Sequence, residues 1–400
     1  MNDFNRRNFL KLSGFSVLPI LTGGINAASR VKSDGNRSNI ETFPDVKETV
    51  WFINDGPMYK PTRYIEKLQE IDAEKKIMRD FYGHGGCIDE LTKKFSLITG
   101  KESAIFMPSG TMANQLAIHT LSGTNTKVFV QETSHVYRDE ADAAQSLFNK
   151  RLIPLGKGEP FFTLSELKNA IDYYEKGEVF KSGSGGVVSI ENPVRRNDGA
   201  FVPIEELRSI SEYCKSSGYK LHLDGARIFM ASAATGIPVS EYASLFDTVY
   251  ISLYKYLGAA AGAVLCGNKE LVDKMDHQVK IHGGSMFSNW TNAAVALHHL
   301  EGLEERLNKV RLKATDLIKS FNALNISITP AVKNNTNMFY LKFLQQVDIK
   351  KVIANLKDKH NIVLQSPNQE GIIRITINDS LLLQENEKII GSFKEAIKSS

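Results

Sequence analysis

Short apolar segments alternate with amphipathic helical segments along most of this 400-residue chain. The apolar segments are too short for buried helices and have the length of strands buried on both faces. The segments between them carry apolar residues three and four positions apart, as helices on a sheet do. This alternation predicts an α/β fold with a mostly parallel sheet. The predicted strands are SAIFM, KVFVQ, VVSIE, KLHLD, DTVYIS and GAVLC.

The chain is long enough for two domains, because a single hydrophobic core stops growing well below 400 residues. We assign residues 49–290 to a large domain with a sheet of the seven-stranded type. Residues 291–400 are assigned to a bridging helix and a small C-terminal α/β domain, in which the strands NMFYLKF and GIIRITI alternate with helices. Residues 285–320 are predicted to be long helix.

The composition narrows the classes of partner. The 49 basic and 45 acidic residues are spread evenly and form no basic stripe, so we expect no nucleic-acid partner. The three cysteines, Cys87, Cys214 and Cys266, have no metal-binding spacing, so we expect free thiols and no metal. After the first thirty residues, no segment approaches the ~18 apolar residues of a membrane span. We therefore expect no span in the mature chain.

The N-terminus has the pattern of an export signal. Arg6 and Arg7 precede the sequence Phe9-Leu10-Lys11 and a short apolar run diluted by Ser and Gly, which resembles a twin-arginine signal. Residues 1–28 are predicted to be this signal, and the polar residues 29–48 a flexible leader. The expected location is the periplasm, or the cytoplasm if the signal is not used. Because this route carries folded proteins, it favours a bound cofactor.

Three strand ends carry the polar residues of a candidate site, since parallel sheets bind ligands at the carboxyl ends of their strands. Ser109-Gly110-Thr111 follows SAIFM and begins a helix, where backbone N–H groups can bind a phosphate. The alternative is a simple helix cap. Asp224 ends the apolar strand KLHLD and needs a partner. That partner is either a ligand or Arg227.

Lys255 lies in ISLYKYLGAAAGAVL, a segment that otherwise reads as buried chain. It follows Asp224 by 31 residues (255 minus 224), about one strand–helix–strand unit. One alternative is that the ammonium group extends to water from a strand end. The other is that its amine reacts, because burial lowers the pKa of a lysine.

A phosphate cradle, a buried carboxylate and a buried lysine together match the needs of pyridoxal 5′-phosphate. This cofactor has a phosphate, a ring nitrogen that must stay protonated, and an aldehyde that condenses with a lysine amine. A carboxylate keeps the ring nitrogen protonated through a charge-assisted hydrogen bond. The sequence therefore predicts that Ser109, Gly110, Thr111, Asp224 and Lys255 bind pyridoxal phosphate.

Several segments resemble the threonine aldolase and β-eliminating lyase group of fold-type I pyridoxal-phosphate enzymes. The similar segments are SGTMANQLAI, SHVYRDEA, IENP, LHLDGARIF and IIRITI. The resemblance implies that His135 stacks on the cofactor ring and that Asp224 contacts the ring nitrogen. It places Arg227 beside the cofactor's phenolic oxygen or the substrate carboxylate. It also makes Arg374 a ligand of that carboxylate.

The chain departs from the family where the substrate end of the site is expected. Tyr254 and Tyr256 flank Lys255 in place of Ser and Gly, and FINDGPMYKPT replaces the usual opening segment. Arg195 and Arg196 stand together after the IENP segment. These departures leave the cofactor prediction intact and bear on the identity of the substrate.

The resemblance implies a lyase that cleaves a β-hydroxy-α-amino acid to glycine and an aldehyde, with Lys255, His135 and Asp224 as catalytic residues. The base is His135, His84 or a phosphate-bound water. One alternative is β-elimination from serine, cysteine or an aromatic amino acid, and another is an amino-acid binding protein without turnover. We expect a homodimer or homotetramer, with the segment HGGSMFSNWTNAAVA at the subunit interface.

Overall fold

The computed structural model describes residues 48–56, 59–177 and 183–400. The predicted signal and all but the last residue of the predicted leader lie outside the described residues. The strands are β1 Val50–Trp51, β2 Ser103–Met107, β3 Lys127–Gln131, β4 Arg151–Leu155, β5 Gly185–Glu191, β6 Lys220–Asp224, β7 Thr248–Ser252, β8 Ala263–Gly267, β9 Ile326–Pro330, β10 Met338–Phe343, β11 Ile362–Val363 and β12 Ile373–Thr376.

Fourteen α-helices occur in the described ranges. They are α1 Pro61–Ala73, α2 Gly86–Thr99, α3 Gly110–Ser122, α4 His135–Arg138, α5 Ala143–Phe148, α6 Leu164–Lys176, α7 Ile204–Ser217, α8 Ile228–Thr235, α9 Val239–Ser244, α10 Lys269–Ile281, α11 Trp290–Leu300, α12 Leu303–Phe321, α13 Ile349–His360 and α14 Asn386–Lys398. Short 3₁₀ turns cover Arg195–Asn197, Asn322–Leu324 and Asp379–Leu383.

A seven-stranded sheet in the order β2-β8-β7-β6-β5-β3-β4 forms the centre of the fold. Strands β7, β6, β5, β3 and β4 pair in parallel, and β8 is antiparallel to both of its neighbours. All the residues of β3, β7 and β8 are buried, as expected for a sheet covered on both faces. The predicted fold class, α/β with a mostly parallel seven-stranded sheet, is confirmed.

The C-terminal part contains a smaller antiparallel sheet, in the order β12-β10-β9, and a separate hydrophobic cluster. Val50 and Phe52, near the start of the described chain, belong to this second cluster, and β1 pairs with β11. The N-terminal segment thus packs with the small sheet before the chain enters the large one. The proposed boundary at residue 290 stays a prediction.

The long helix predicted over 285–320 is two helices. The helix α11 ends at Leu300, and α12 begins at Leu303 after Gly302, whose φ of 64° is left-handed. This backbone conformation interrupts the hydrogen-bond ladder and suits glycine. In the described ranges, no helix combines the length and hydrophobicity that a membrane crossing requires.

Candidate active site

The carboxyl ends of three strands that run in the same direction bring most of the predicted site residues to one cavity. Strand β2 leads to Ser109-Gly110-Thr111, β6 ends at Asp224, and β7 leads to Lys255. The cavity has about 390 Å³ of free space, and we call it the inner cavity. Its lining includes Ser109, Gly110, Thr111, His135, Asp224, Arg227 and Lys255.

The first turn of α3 forms one wall of the inner cavity. Oγ of Ser109 accepts a hydrogen bond from the backbone N–H of Met112 at 3.2 Å, so Ser109 is also the helix cap that the sequence left as an alternative. The first N–H groups of a helix have no partner within the helix and are free for an anion. A Cβ at residue 110 would overlap the hydroxyl of Tyr250, so the close packing at this wall requires glycine.

A chain of hydrogen bonds holds the carboxylate of Asp224 from behind. Oδ2 accepts from the side-chain amide of Asn114 at 2.9 Å, and Oδ1 accepts from the backbone N–H of Ala226 at 3.2 Å. Oδ1 of Asn114 pairs with Nε2 of His222 at 2.9 Å, and Nδ1 of His222 pairs with Thr248 Oγ1 at 2.8 Å. This chain orients the carboxylate at the cavity.

Burial lowers the pKa of His222 to about 4, although the nearby Asp224 opposes this effect. His222 is therefore neutral at physiological pH. Because the amide oxygen of Asn114 accepts, Nε2 of His222 carries the proton, and Nδ1 accepts from the Thr248 hydroxyl. The hydrogen bonds therefore all have the same direction: Thr248 donates to His222, His222 donates to Asn114, and Asn114 donates to Asp224.

His135 begins α4 at the cavity, between two buried glutamates. Its Nδ1 lies 2.9 Å from Oε1 of Glu140, and its backbone N–H donates to Glu191 at 2.6 Å. Burial lowers the pKa of His135, but the hydrogen bond to Glu140 and the charge of Asp224 outweigh burial and raise it. Burial raises the pKa of both Glu140 and Glu191, and the charge of Asp224 adds to this effect.

His135, Glu140 and Asp224 also bring one ligand atom each to within 4.8 Å of one another. Such a set resembles a metal site. The amide group of Asn114, however, donates one hydrogen bond to Glu140 at 2.7 Å and another to Asp224 at 2.9 Å. These donors point at the oxygens that a cation would need, so the arrangement suits a hydrogen-bonded organic ligand better.

The amine of Lys255 faces both cavities. Among the described residues, its Nζ has no hydrogen-bond or ion-pair partner, and its one recorded contact is with the Tyr254 ring, 5.6 Å from the centroid. Burial, followed by the charge of Arg227, lowers the pKa of Lys255 to about 8. The neutral, nucleophilic form of this amine is therefore more populated near neutral pH than that of an ordinary lysine.

Arg227 forms a bidentate ion pair with Asp55, which the sequence analysis missed. Its Nε and one terminal nitrogen lie 2.9 and 2.8 Å from the two carboxylate oxygens. Burial would raise the pKa of Asp55, but Arg227 outweighs burial and lowers it, with smaller contributions from Lys255 and Arg195. Arg227 does not pair with Asp224, so that alternative is wrong. Asp55 lies in FINDGPMYKPT, the segment that differs from the family pattern, and this difference was the feature of the sequence that pointed to it.

Gly56 brings the segment with Asp55 against the lysine. A Cβ at residue 56 would lie 2.6 Å from Cα of Tyr256 and 3.0 Å from the carbonyl oxygen of Lys255. Only glycine allows this approach of two backbones. The segment therefore forms a wall of the site, although it lies about two hundred residues earlier in the chain.

A second, outer cavity of about 730 Å³ shares several walls with the inner one. His135, Arg227, Tyr254 and Lys255 line both cavities. The outer cavity adds the residues Asp55, Gly56 and Arg195. Its size and position fit a substrate that approaches Lys255 from outside.

Arg374, predicted to bind the substrate carboxylate, lies on β12 and lines neither cavity. Its guanidinium pairs with Asp198 at 3.2 Å, and Asp198 also accepts from the Tyr340 hydroxyl. Its role at the substrate stays a prediction. His84 pairs with Asp276 and also lines neither cavity, so His135 is the better placed of the two histidines considered as base.

The inner cavity fits pyridoxal phosphate in the chemistry of its donors and acceptors. The N-terminus of α3 offers donors to a phosphate, Asp224 offers an oriented carboxylate to a ring nitrogen, and Lys255 offers an unpaired amine to an aldehyde. His135 lies in the same cavity, as a residue that packs on the ring must. The residues required at each end of the cofactor are thus all present.

The chain is similar to proteins of known sequence and structure. A low-specificity L-threonine aldolase of Candida albicans is 34% identical over 224 residues, which are 56% of this chain and 58% of that protein. The chain thus matches less than two thirds of that relative's length.

Two solved structures match more of the chain. One is a protein of Exiguobacterium sp. assigned as an aromatic amino acid β-eliminating lyase/threonine aldolase (TM-score 0.73, 27% identity, 88% of this chain and 98% of that one). The other is a Listeria monocytogenes protein assigned as an L-allo-threonine aldolase (TM-score 0.72, 26% identity, 88% and 96%).

A family profile covers the large domain and reaches into the small one. It matches residues 60–343, which include the first turn of α3, His135, Asp224 and Lys255. The profile is that of the beta-eliminating lyases. The chain therefore belongs to the beta-eliminating lyase family.

Proposed function

We propose that this protein is a pyridoxal-phosphate-dependent lyase that cleaves a β-hydroxy-α-amino acid to glycine and an aldehyde. The observation that carries the proposal is that one cavity holds the Lys255 amine, which has no partner within the described ranges, together with the oriented carboxylate of Asp224 and the N-terminus of α3. The names of the Candida albicans and Listeria monocytogenes relatives support this reaction.

Different residues of the chain bind the cofactor and accept the proton of the substrate. When bound, pyridoxal phosphate supplies a protonated ring that withdraws electrons from the bond that breaks. Asp224 would hold the proton on the ring nitrogen and the N-terminus of α3 would hold the phosphate. The Lys255 amine would hold the aldehyde carbon until the amine of the substrate replaces it. His135 takes the proton from the β-hydroxyl group. As the Cα–Cβ bond breaks, the β-carbon leaves as an aldehyde, and Cα gains one proton, which balances the one that His135 removed, to give glycine.

Product analysis tests this function against its alternatives. Purified protein incubated with threonine is expected to release glycine and acetaldehyde, and with phenylserine glycine and benzaldehyde. Pyruvate and ammonia from serine or cysteine, without glycine from threonine, would instead show β-elimination. Binding of these amino acids without any product would show a binding protein, and either result overturns the proposed reaction.

We also propose that the protein is exported through the twin-arginine route. The support is the motif at Arg6 and Arg7. Replacing both residues by lysine is expected to leave the protein in the cytoplasm at its full length. Fractionation and mass measurement check this, with Arg30→Lys plus Arg37→Lys as a matched control outside the motif. Unchanged periplasmic location of the first variant would contradict the proposal.

We further propose a homo-oligomer that associates through an exposed aromatic patch. Phe81, Tyr82 and Phe287 are each at least 50% exposed, and both Phe81 and Tyr82 contact Phe287 edge-to-face. Trp290, from the same predicted interface segment, packs instead against the main core. Exposed aromatic clusters of this kind are enriched at interfaces.

Light scattering of the wild-type protein is expected to give two or four times the chain mass. The Phe287→Asp variant is expected to dissociate toward the monomer, because a charge in an apolar interface loses its water. Leu97→Asp, at a residue that is 74% exposed outside the patch, serves as control. A monomeric wild type at micromolar concentration would refute the oligomer, and an unchanged mass of Phe287→Asp would refute this interface.

A further inference from the structure

The outer cavity carries an excess of positive charge. Arg195, Arg227 and Lys255 line it, and Asp55 is its one acidic residue among those described. Two of these three cationic residues already have a binding partner or a proposed role. Arg227 is held in a bidentate pair by Asp55, and Lys255 is the residue proposed to hold the cofactor. Arg195 remains.

Arg195 is held in place by its backbone and only loosely by its side chain. Its N–H donates to the buried Glu191 at 2.9 Å, which fixes where the side chain starts. One terminal nitrogen lies 3.4 Å from Oδ2 of Asp139, a long contact. The side chain is 46% exposed. A side chain anchored at its base with a free head is suited to binding a ligand.

Asp139 is already bound by a second arginine. Nε of Arg196 lies 2.9 Å from Oδ2 of Asp139, and a terminal nitrogen lies 2.5 Å from Oδ1. This pair has the bidentate geometry that arginine and a carboxylate prefer. Two guanidinium groups thus contact the carboxylate of Asp139, and the contact of Arg195 is the longer one.

We infer that Arg195 binds a carboxylate group of the substrate in the outer cavity. The inference rests on the proposed function, since it places an amino-acid substrate beside Lys255. It adds Arg195 to the residues expected to bind a substrate carboxylate. The predicted role of Arg374, which is paired with Asp198 and lines neither cavity, is left unchanged. A guanidinium binds a carboxylate through two parallel hydrogen bonds, so it fixes orientation as well as position.

Two different carboxylate groups of a substrate are candidates for binding to Arg195. Every amino acid has an α-carboxylate, and an acidic substrate such as 3-hydroxyaspartate has a second one on the β-carbon. Threonine and 3-hydroxyaspartate are therefore tested side by side. Glycine, the expected product, provides a third measurement without turnover, because its binding changes the absorbance of the bound cofactor.

The holoenzyme of Arg195→Gln is compared with wild type and with Arg208→Gln. Arg208 pairs with Glu241 and lines neither cavity, so its replacement removes the same charge elsewhere. Arg195→Gln is expected to raise KM by about tenfold, the effect of losing one solvent-accessible charged pair in a binding site. Its kcat and cofactor absorbance are expected to stay within about twofold of wild type, because the contact is made equally with the bound substrate and with the transition state.

The substrates distinguish the two sources. A higher KM for both substrates and weaker glycine binding would place the α-carboxylate at Arg195. A higher KM for 3-hydroxyaspartate alone would place the side-chain carboxylate there. Unchanged KM values and an unchanged glycine dissociation constant would overturn the inference. A wild type with bound cofactor but no turnover would refute the proposed function alone, because glycine binding would still test Arg195.

The Asp139→Asn variant is expected to strengthen binding of glycine and of the substrate, which is the opposite of the effect of Arg195→Gln. Removing the shared carboxylate frees Arg195, so glycine binding and KM are expected to improve by about two- to threefold, the modest effect typical of exposed ion pairs. If Asp139→Asn instead weakens binding as much as Arg195→Gln does, the contact between the two residues is structural, and the inference fails.

Discussion

Lys255→Ala is expected to abolish turnover, with a loss of roughly 10³-fold or more, as removal of a covalent nucleophile usually produces. Lys255 presents the unpaired amine of the inner cavity, and alanine leaves no group there to hold an aldehyde. Borohydride reduction of the wild type, followed by peptide mapping, is expected to place the cofactor on the peptide with Lys255. Lys269→Ala serves as control, since Lys269 is exposed and pairs with Asp273.

The pH dependence of cofactor loading gives the same prediction a second measurement. Because burial and Arg227 lower the pKa of Lys255 to about 8, its amine is mostly protonated below that pH and mostly neutral above it. Only the neutral amine attacks an aldehyde. The rate at which cofactor-free protein takes up pyridoxal phosphate is therefore expected to rise with pH to about 8 and then level off. A label on another lysine would contradict the assignment.

Asp224→Asn is expected to lower kcat by about 30- to 1000-fold, corresponding to roughly 2–4 kcal/mol for loss of a preorganised charged contact. The variant retains the shape of the side chain, so the fold is expected to persist. It presents an amide hydrogen either to Asn114 or to the N–H of Ala226, where the wild type has an acceptor. This mismatch is expected to cost about 1 kcal/mol of stability.

Kinetics and thermal unfolding of Asp224→Asn are compared with those of Asp276→Asn. Asp276 is exposed and pairs with His84 away from both cavities, so this control makes the same substitution without touching the site. A near-normal kcat in Asp224→Asn would remove Asp224 from the proposed mechanism. A loss of kcat with retained cofactor absorbance would support its place beside the ring nitrogen.

Local patterns in the sequence were sufficient for six of the seven strands of the large sheet and for the polar residues at three strand ends. Strands β2, β3 and β6 match the predicted segments residue for residue. A strand buried on both faces must be continuously apolar, so a polar residue at its end stands out. Ser109, Asp224 and Lys255 were found for this reason, and parallel strands necessarily bring such ends to one edge.

Elements whose role depends on their neighbours were missed. Strand β4 contains Pro154 and pairs only with β3, at the edge of the sheet. Proline is tolerated there because the outer side needs no N–H donor, but in the sequence it argues against a strand. The direction of β8 also escaped prediction, because five apolar residues look the same in a parallel and an antiparallel strand.

By itself, the sequence determined the fold class and the cofactor, and it predicted the residues proposed to bind that cofactor, since these depend on local periodicity and on charges that burial makes costly. Only the tertiary structure decided the partners of those residues. Asp55 meets Arg227 across 172 positions, and Asn114 meets Asp224 across 110. Contacts between such distant residues leave no local pattern, because they form only when strands and loops far apart in the chain pack together.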